Sequence, residues 1–231
     1  MGFVIEPPPL VSVPVAGTQD RFPVRRVWCV GRNYVEHAKE MGFTGREPPF
    51  FFAKPADALV VVDAGQTGDM PYPAGTEDLH HEIELVAAIG KGGRDIKAAN
   101  AGHHIFGYAV GLDMTRRDLQ MVVRKQGRPW EVGKAFDASA PIGPIVRASG
   151  TVPMHEGAIS LAVNGAPRQS SDISKLIWNI GEIIEHLSAL WELAPGDLIY
   201  TGTPEGVAAV VRGDLMVGQV AGVGELRIRV V

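Results

Sequence analysis

Cysteine is almost missing from this 231-residue chain: Cys29 stands alone, so no intrachain disulfide is available. It sits in the apolar run VWCV, where a thiol packs as a small hydrophobe, and such usage fits a reducing, cytoplasmic setting. Long apolar runs are missing too, since no segment approaches the roughly 20 residues that a membrane span needs. The opening MGFVIEPPPLVSVPV lacks a basic start and is broken by prolines, which makes it a poor signal peptide. Nor is there an excess of positive charge. With 22 Lys and Arg against 26 Asp and Glu the net charge is −4, mildly repulsive towards phosphate backbones and anionic lipid, so neither nucleic acid nor membrane is an expected partner. GxGxxG, GxxxxGK, GxSxG and CxxC are all absent, which removes the signatures of nucleotide binding, serine hydrolysis and zinc ribbons.

What is abundant is turn chemistry. The chain has 28 glycines and 17 prolines, well above the roughly 12% of average usage, while 45% hydrophobic and 21% charged residues mark a folding chain of one ordinary domain. Residues 1–24 form an arm whose Pro7, Pro8, Pro9, Pro14 and Pro23 forbid helix and favour extended backbone. From there to residue 231 short apolar runs alternate with Gly, Pro and Asp. VWCVG, FFFAK, ALVVV, EIELVAAIG, FGYAVGLD, AISLAVNG, DLIYTG and ELRIRVV all read as strands. Helical spacing is strongest in WNIGEIIEHLSALW, where Ile180, Ile183, Ile184, Leu187, Leu190 and Trp191 share a side opposite Glu182, Glu185 and His186. TRRDLQMVVRKQG and the short NYVEHAKEM are weaker helices. The pattern is α+β, mainly β, without the regular strand-helix alternation of a doubly wound sheet, and strand order is not readable from it.

The segment LHHEIELVAAIG carries the most chemistry. Side chains alternate along a strand, so His80, Glu82 and Glu84 share one face and Leu79, Ile83 and Leu85 the other. Neighbouring carboxylates repel, and partial burial costs several kcal/mol each unless a cation or proton compensates. A divalent metal satisfies them; so does plain exposure on the solvated face of an amphipathic strand. Asp113, ending FGYAVGLD, is the natural third oxygen ligand for Mg²⁺, Mn²⁺ or Ca²⁺, unless it or Thr115 merely caps the following helix. Capping does not explain Arg116 and Arg117, because cations in a first helical turn oppose the helix dipole unless an anion sits there. His37 and Glu40, three residues apart, can form a carboxylate-oriented imidazole base or a surface ion pair. Lys134 in WEVGKAFD fits a solvated surface or a buried role. The turn Thr201-Gly202-Thr203-Pro204 offers backbone amides that can receive a carboxylate, or simply closes a strand. His103, His104 and His186 have no partners by spacing.

Taken together and in order, CVGRNYVEHAKE, PPFFFAKPADALV, HHEIELVAAIG, GYAVGLDMTRRDLQ, GKAFDASAPIGP, LAVNGAPRQ and LAPGDLIYTGTPEGV closely resemble the fumarylacetoacetate hydrolase family. The arm EPPPLVSVPVAGTQDRFPVRR and FFFAKPADALV are most similar to its bacterial fumarylpyruvate-cleaving branch. The resemblance implies a mixed β-sheet roll with short flanking helices over residues 25–231, a homodimer, and a Mg²⁺ or Mn²⁺ site. Carried over position by position, it puts metal carboxylates on Glu82, Glu84 and Asp113, a His-Glu dyad on His37 and Glu40 in a segment that acts as a lid over the substrate, and the active-site lysine on Lys134. Substrate contacts fall on Arg117, Gln120 and Thr203, and Arg32 or Arg116 would meet a distal carboxylate. The implied activity is metal-dependent hydrolysis of the C–C bond of an acylpyruvate, fumarylpyruvate first among them, in aromatic catabolism. Oxaloacetate decarboxylation or a related oxo-acid isomerisation or dehydration is the alternative on the same fold, and a non-catalytic metal- or oxo-acid-binding module a second one.

Overall fold

In the computed structural model residues 2–36 and 46–231 are described. Two sheets organise them. The main one runs, in spatial order, Phe50–Lys54, Arg26–Gly31, Asp197–Tyr200, Ile83–Ile89, Ile105–Leu112, Ala140–Ile142 and Leu59–Val61, with Val146–Arg147 joined to Ile105–Leu112. The second runs Ala166–Asp172, Ala158–Val163, Leu215–Val220, Gly224–Val230 and Thr67–Met70. Both are mixed: Asp197–Tyr200 is parallel to Arg26–Gly31 and antiparallel to Ile83–Ile89. All eight strands expected from apolar runs are present. Ala166–Asp172 and Leu215–Val220 were not expected, the first because APRQSSD carries almost no apolar signal.

Ile83–Ile89 is buried along its whole length, and its two faces feed two cores. Ile83, Leu85, Ala87 and Ile89 join one cluster with Leu226, Ile228 and Val230 of the second sheet and with Ile180, Ile183, Ile184 and Leu187 of the long helix. Val86 and Ala88 join the other with Leu198, Tyr200, Phe52 and Trp130. That second core also takes Val13, Val15, Phe22 and Val24, which a hairpin of Ser12–Pro14 and Arg21–Pro23 lays against the sheet.

Among the elements described in full, three α-helices frame the sheets: α1 (Arg117–Lys125), α2 (Glu131–Lys134) and α3 (Ile180–Leu190). α3 starts where expected because Asn179 and Glu182 form a reciprocal capping box, each side chain accepting the other's backbone N–H at 3.0 Å. It ends one residue short of the apolar stripe, so Leu190 is exposed, while Trp191 leaves the helix to stack on Trp28 with ring centroids 4.7 Å apart. Among the described residues no helix is long and apolar enough to cross a membrane.

Candidate active site

Strand register builds the acidic cluster. Ile83 pairs with Leu112 in antiparallel fashion, so the next rung outward sets Glu82 opposite Asp113, whose N–H donates to the Glu82 carbonyl at 2.8 Å. Opposed residues on an antiparallel ladder project to the same face, and Glu84, two residues on, projects there as well. Ligand atoms of Glu82, Glu84 and Asp113 all lie within 4.8 Å of one another. Exposures of 5%, 2% and 1% dispose of the solvated-face alternative. Asp113 does not cap α1 either, because the N-cap position is Arg116 and no side chain accepts there.

Three buried or half-buried cations answer these anions. Lys134 Nζ donates to Glu82 Oε2 at 2.6 Å, Asp113 Oδ2 at 2.7 Å and Thr115 Oγ1 at 2.7 Å. Gly133 brings it there: a Cβ at that position would sit 2.8 Å from the Gln120 Cβ, so only glycine lets α2 lie this close to α1. Arg117 donates to Glu82 Oε1 and to Gln120 Oε1, both at 2.5 Å. The anion that justifies an arginine in the first turn of α1 is thus, in this structure, the chain's own Glu82. The third cation, Lys54, was not anticipated. Only 2% exposed, it pairs with Asp113 Oδ1 at 2.9 Å and donates to the carbonyls of Met114, Lys134 and Ser139. Its signal was the alternation in FFFAK, which puts Phe52 and Lys54 on one inward face.

Glu84 is the residue under greatest electrostatic load. Burial first, then the charges of Asp113 and Glu82, push its carboxyl well above the usual carboxylate range, against the opposing Gly202 N–H and Lys134. The Gly202 N–H reaches Glu84 Oε2 at 2.8 Å because Gly202 adopts φ +106° beside Asn33, a conformation closed to other side chains. The amide of the Thr-Gly-Thr turn therefore receives a carboxylate, and that carboxylate is internal. Burial pulls the Lys134 ammonium down, but Asp113 and Glu82 outweigh it and its pKa is raised, so it stays charged.

Arg32, Arg117, Gln120, Lys134 and Thr203 line one cleft with the three carboxylates, walled by Phe52 and Trp130. Arg116 does not line it; its guanidinium lies 4.5 Å from the Phe136 ring centroid. His37 and Glu40 lie outside the described residues. Three hard oxygen donors from two adjacent strand segments, crowded enough to raise one pKa, suit Mg²⁺ or Mn²⁺ and disfavour softer metals.

Residues 26–231 match the fumarylacetoacetate (FAA) hydrolase C-terminal family. The chain is 50% identical over 184 residues to the fumarylpyruvate hydrolase of a Ralstonia species, covering 80% of this chain and 93% of that protein. It is 37% identical over 215 residues to the mitochondrial oxaloacetate tautomerase of Bos taurus, covering 90% and 96%. The crystal structure of fumarylpyruvate hydrolase from Pseudomonas aeruginosa in complex with Mn²⁺ and pyruvate superposes with a TM-score of 0.97 at 59% identity, over 100% of this chain and 99% of that one. Fold, cleft and sequence agree that the chain belongs to the fumarylacetoacetate hydrolase family.

Proposed function

We propose that the protein is a metal-dependent acylpyruvate hydrolase that cleaves fumarylpyruvate to fumarate and pyruvate. The observation that carries this reading is the buried convergence of Glu82, Glu84 and Asp113 in a cleft that also holds Lys134 and Arg117. Lys54, Lys134 and Arg117 match the three carboxylates in number, so a dication entering with a dianionic substrate adds no net charge to the site. Held by these oxygens, Mg²⁺ or Mn²⁺ supplies a hard Lewis acid for a 2-oxo acid and for the negative charge that develops on it. Lys134, its three protons on Glu82, Asp113 and Thr115, holds a fixed positive charge in the cleft beside the developing enolate.

Hydrolysis adds water across the C–C bond next to the distal ketone: the new C–O bond forms at that carbonyl and the electron pair of the broken bond goes to the pyruvate carbon as an enolate. A proton returns to that carbon. His37, oriented by Glu40, takes the proton from the attacking water. His37→Ala with unchanged metal affinity is therefore expected to lower turnover by roughly 10²–10⁴-fold; hydrolysis at the wild-type rate removes the role.

Arg32 meets the distal carboxylate. It lines the cleft with its guanidinium 5.5 Å from the Trp130 centroid and 5.7 Å from that of Phe50, whereas Arg116 is turned onto Phe136. Losing a charge-assisted hydrogen bond at this end should raise KM for fumarylpyruvate roughly 10–100-fold in Arg32→Gln, with at most about a threefold change for acetylpyruvate, which has no distal charge. Equal changes for both substrates would move the distal contact elsewhere.

The deciding experiment assays fumarylpyruvate, maleylpyruvate, acetylpyruvate and oxaloacetate with Mg²⁺, with Mn²⁺ and with chelator. Equal amounts of fumarate and pyruvate, lost on chelation, are expected. Turnover of oxaloacetate alone would favour the alternative that the bovine relative represents. On this reading residues 25–231 are the catalytic domain and residues 1–24 an arm, and the enzyme works as a cytoplasmic homodimer in aromatic catabolism.

A further inference from the structure

Gln169 lies on Ala166–Asp172 behind the cleft and does not line it; its side chain is 1% exposed and fully hydrogen-bonded. Its Oε1 accepts the Ile83 N–H at 3.1 Å and faces His81 Nδ1 at 2.9 Å. Its Nε2 donates to the Pro204 carbonyl at 2.8 Å and to Thr203 Oγ1 at 2.9 Å. Two of these partners are backbone groups of fixed polarity: an N–H only donates and a carbonyl only accepts. The amide has one orientation.

Two consequences follow from that orientation. His81, fully buried, must present its proton at Nδ1, which leaves Nε2, without a hydrogen-bond partner among the described residues, as the bare nitrogen of the ring. Thr203 Oγ1 must receive a proton from Gln169, so its own O–H is committed to some other acceptor, and none among the described residues takes it. Thr203 lines the cleft. Ketone and carboxylate oxygens of an oxo acid only accept, so a threonine of reversed polarity, donating back to residue 169, would turn lone pairs on an anion.

We propose that Gln169 is a positioning residue: by fixing the polarity of Thr203 and tying the Thr203–Pro204 turn to Ile83, it makes the Thr203 hydroxyl a hydrogen-bond donor to an oxygen of the bound oxo acid. The assignment rests on the reading of the cleft as an oxo-acid site. It does not alter the metal ligands, since Gln169 touches Ile83 and His81 and not the carboxylates.

Two measurements test it. Histidine-selective ¹⁵N NMR of the wild-type full chain is expected to show His81 as the Nδ1–H tautomer; an Nε2–H tautomer means a reversed amide and overturns the proposal without any variant having to fold. Pyruvate affinity of the Mn²⁺-loaded protein is then compared in Thr203→Val, Thr203→Ser, Gln169→Met and the Val/Met double variant. Thr203→Val is expected to weaken pyruvate roughly tenfold, Thr203→Ser to stay within about threefold of wild type, and the double variant to be no weaker than the worse single one, all with Mn²⁺ affinity within about twofold. Losses that multiply in the double variant, Mn²⁺ affinity falling with pyruvate affinity, or wild-type pyruvate binding by Thr203→Val each overturn it. Failure of the oxo-acid reading is distinguishable: the wild type then binds no pyruvate while His81 keeps its Nδ1–H, which overturns the ligand and leaves the amide geometry standing.

Discussion

Glu84→Gln is expected to stabilise the metal-free protein while abolishing its affinity for divalent metal and its turnover. The three carboxylates are held together by strand register, not by mutual attraction, and Glu84 carries the burden: it is fully buried, and Asp113 and Glu82 add to the burial that pushes its pKa up. A glutamine of the same shape still accepts the Gly202 N–H through its Oε1 and removes one buried negative charge. Relief of that charge is worth roughly 1–3 kcal/mol, or several degrees in melting temperature for a chain of this size. The same change deletes one of three hard ligands, so metal affinity should fall by more than about 100-fold, and turnover by about 10³-fold or more as the Lewis acid is lost. Thermal melts in EDTA and in Mn²⁺, with calorimetric metal titration, decide it. A variant less stable than wild type in EDTA, or one that binds Mn²⁺ normally, would show that Glu84 is structural and that the cluster is no metal site.

The opposite sign is expected at Lys134. Lys134→Met strips a 2%-exposed ammonium from Glu82 Oε2, Asp113 Oδ2 and Thr115 Oγ1, leaving two buried carboxylates facing each other with less compensation. Removing one partner from a buried charge cluster costs about 3–5 kcal/mol. Mn²⁺ should return part of that stability, since a dication compensates the same oxygens, but it should not return turnover, expected to fall about 10²–10³-fold through loss of a preorganised cation beside the developing enolate. Stability and rate are thereby separated in one variant. Recovery of both with metal would reduce Lys134 to a charge-balancing strut; loss of neither would place it outside the chemistry.

Much of this site was visible in the chain before any coordinates. Glu82 and Glu84 share a face because strands alternate, a property of three consecutive residues. Asp113, Arg117, Lys134 and the turn holding Thr203 were singled out from their local pattern, Gln120 only through a resemblance of seven ordered segments, and the structure brings all of them to one cleft. The arginine pair in front of α1 was read as asking for an external anion; Glu82 supplies one from within, across 35 residues of sequence. Gln169 escaped notice for a physical reason: a glutamine among APRQSSD carries no local mark of burial and becomes buried only because other strands cover it, whereas Lys54 carried only the alternation of FFFAK as a mark.

The sequence by itself determined the eight strands of the apolar runs, the long helix α3, the sharing of a face by Glu82 and Glu84 and the glycine at 202, because each depends on alternation, backbone freedom or spacing within a few residues. Only the tertiary structure decided that Glu82 opposes Asp113, that Arg32 rather than Arg116 lines the cleft, and that Gln169 sets the polarity of Thr203. Those are matters of register and of packing between segments tens of residues apart, and the energy that fixes them, burial of the two cores on either side of Ile83–Ile89, belongs to no single segment.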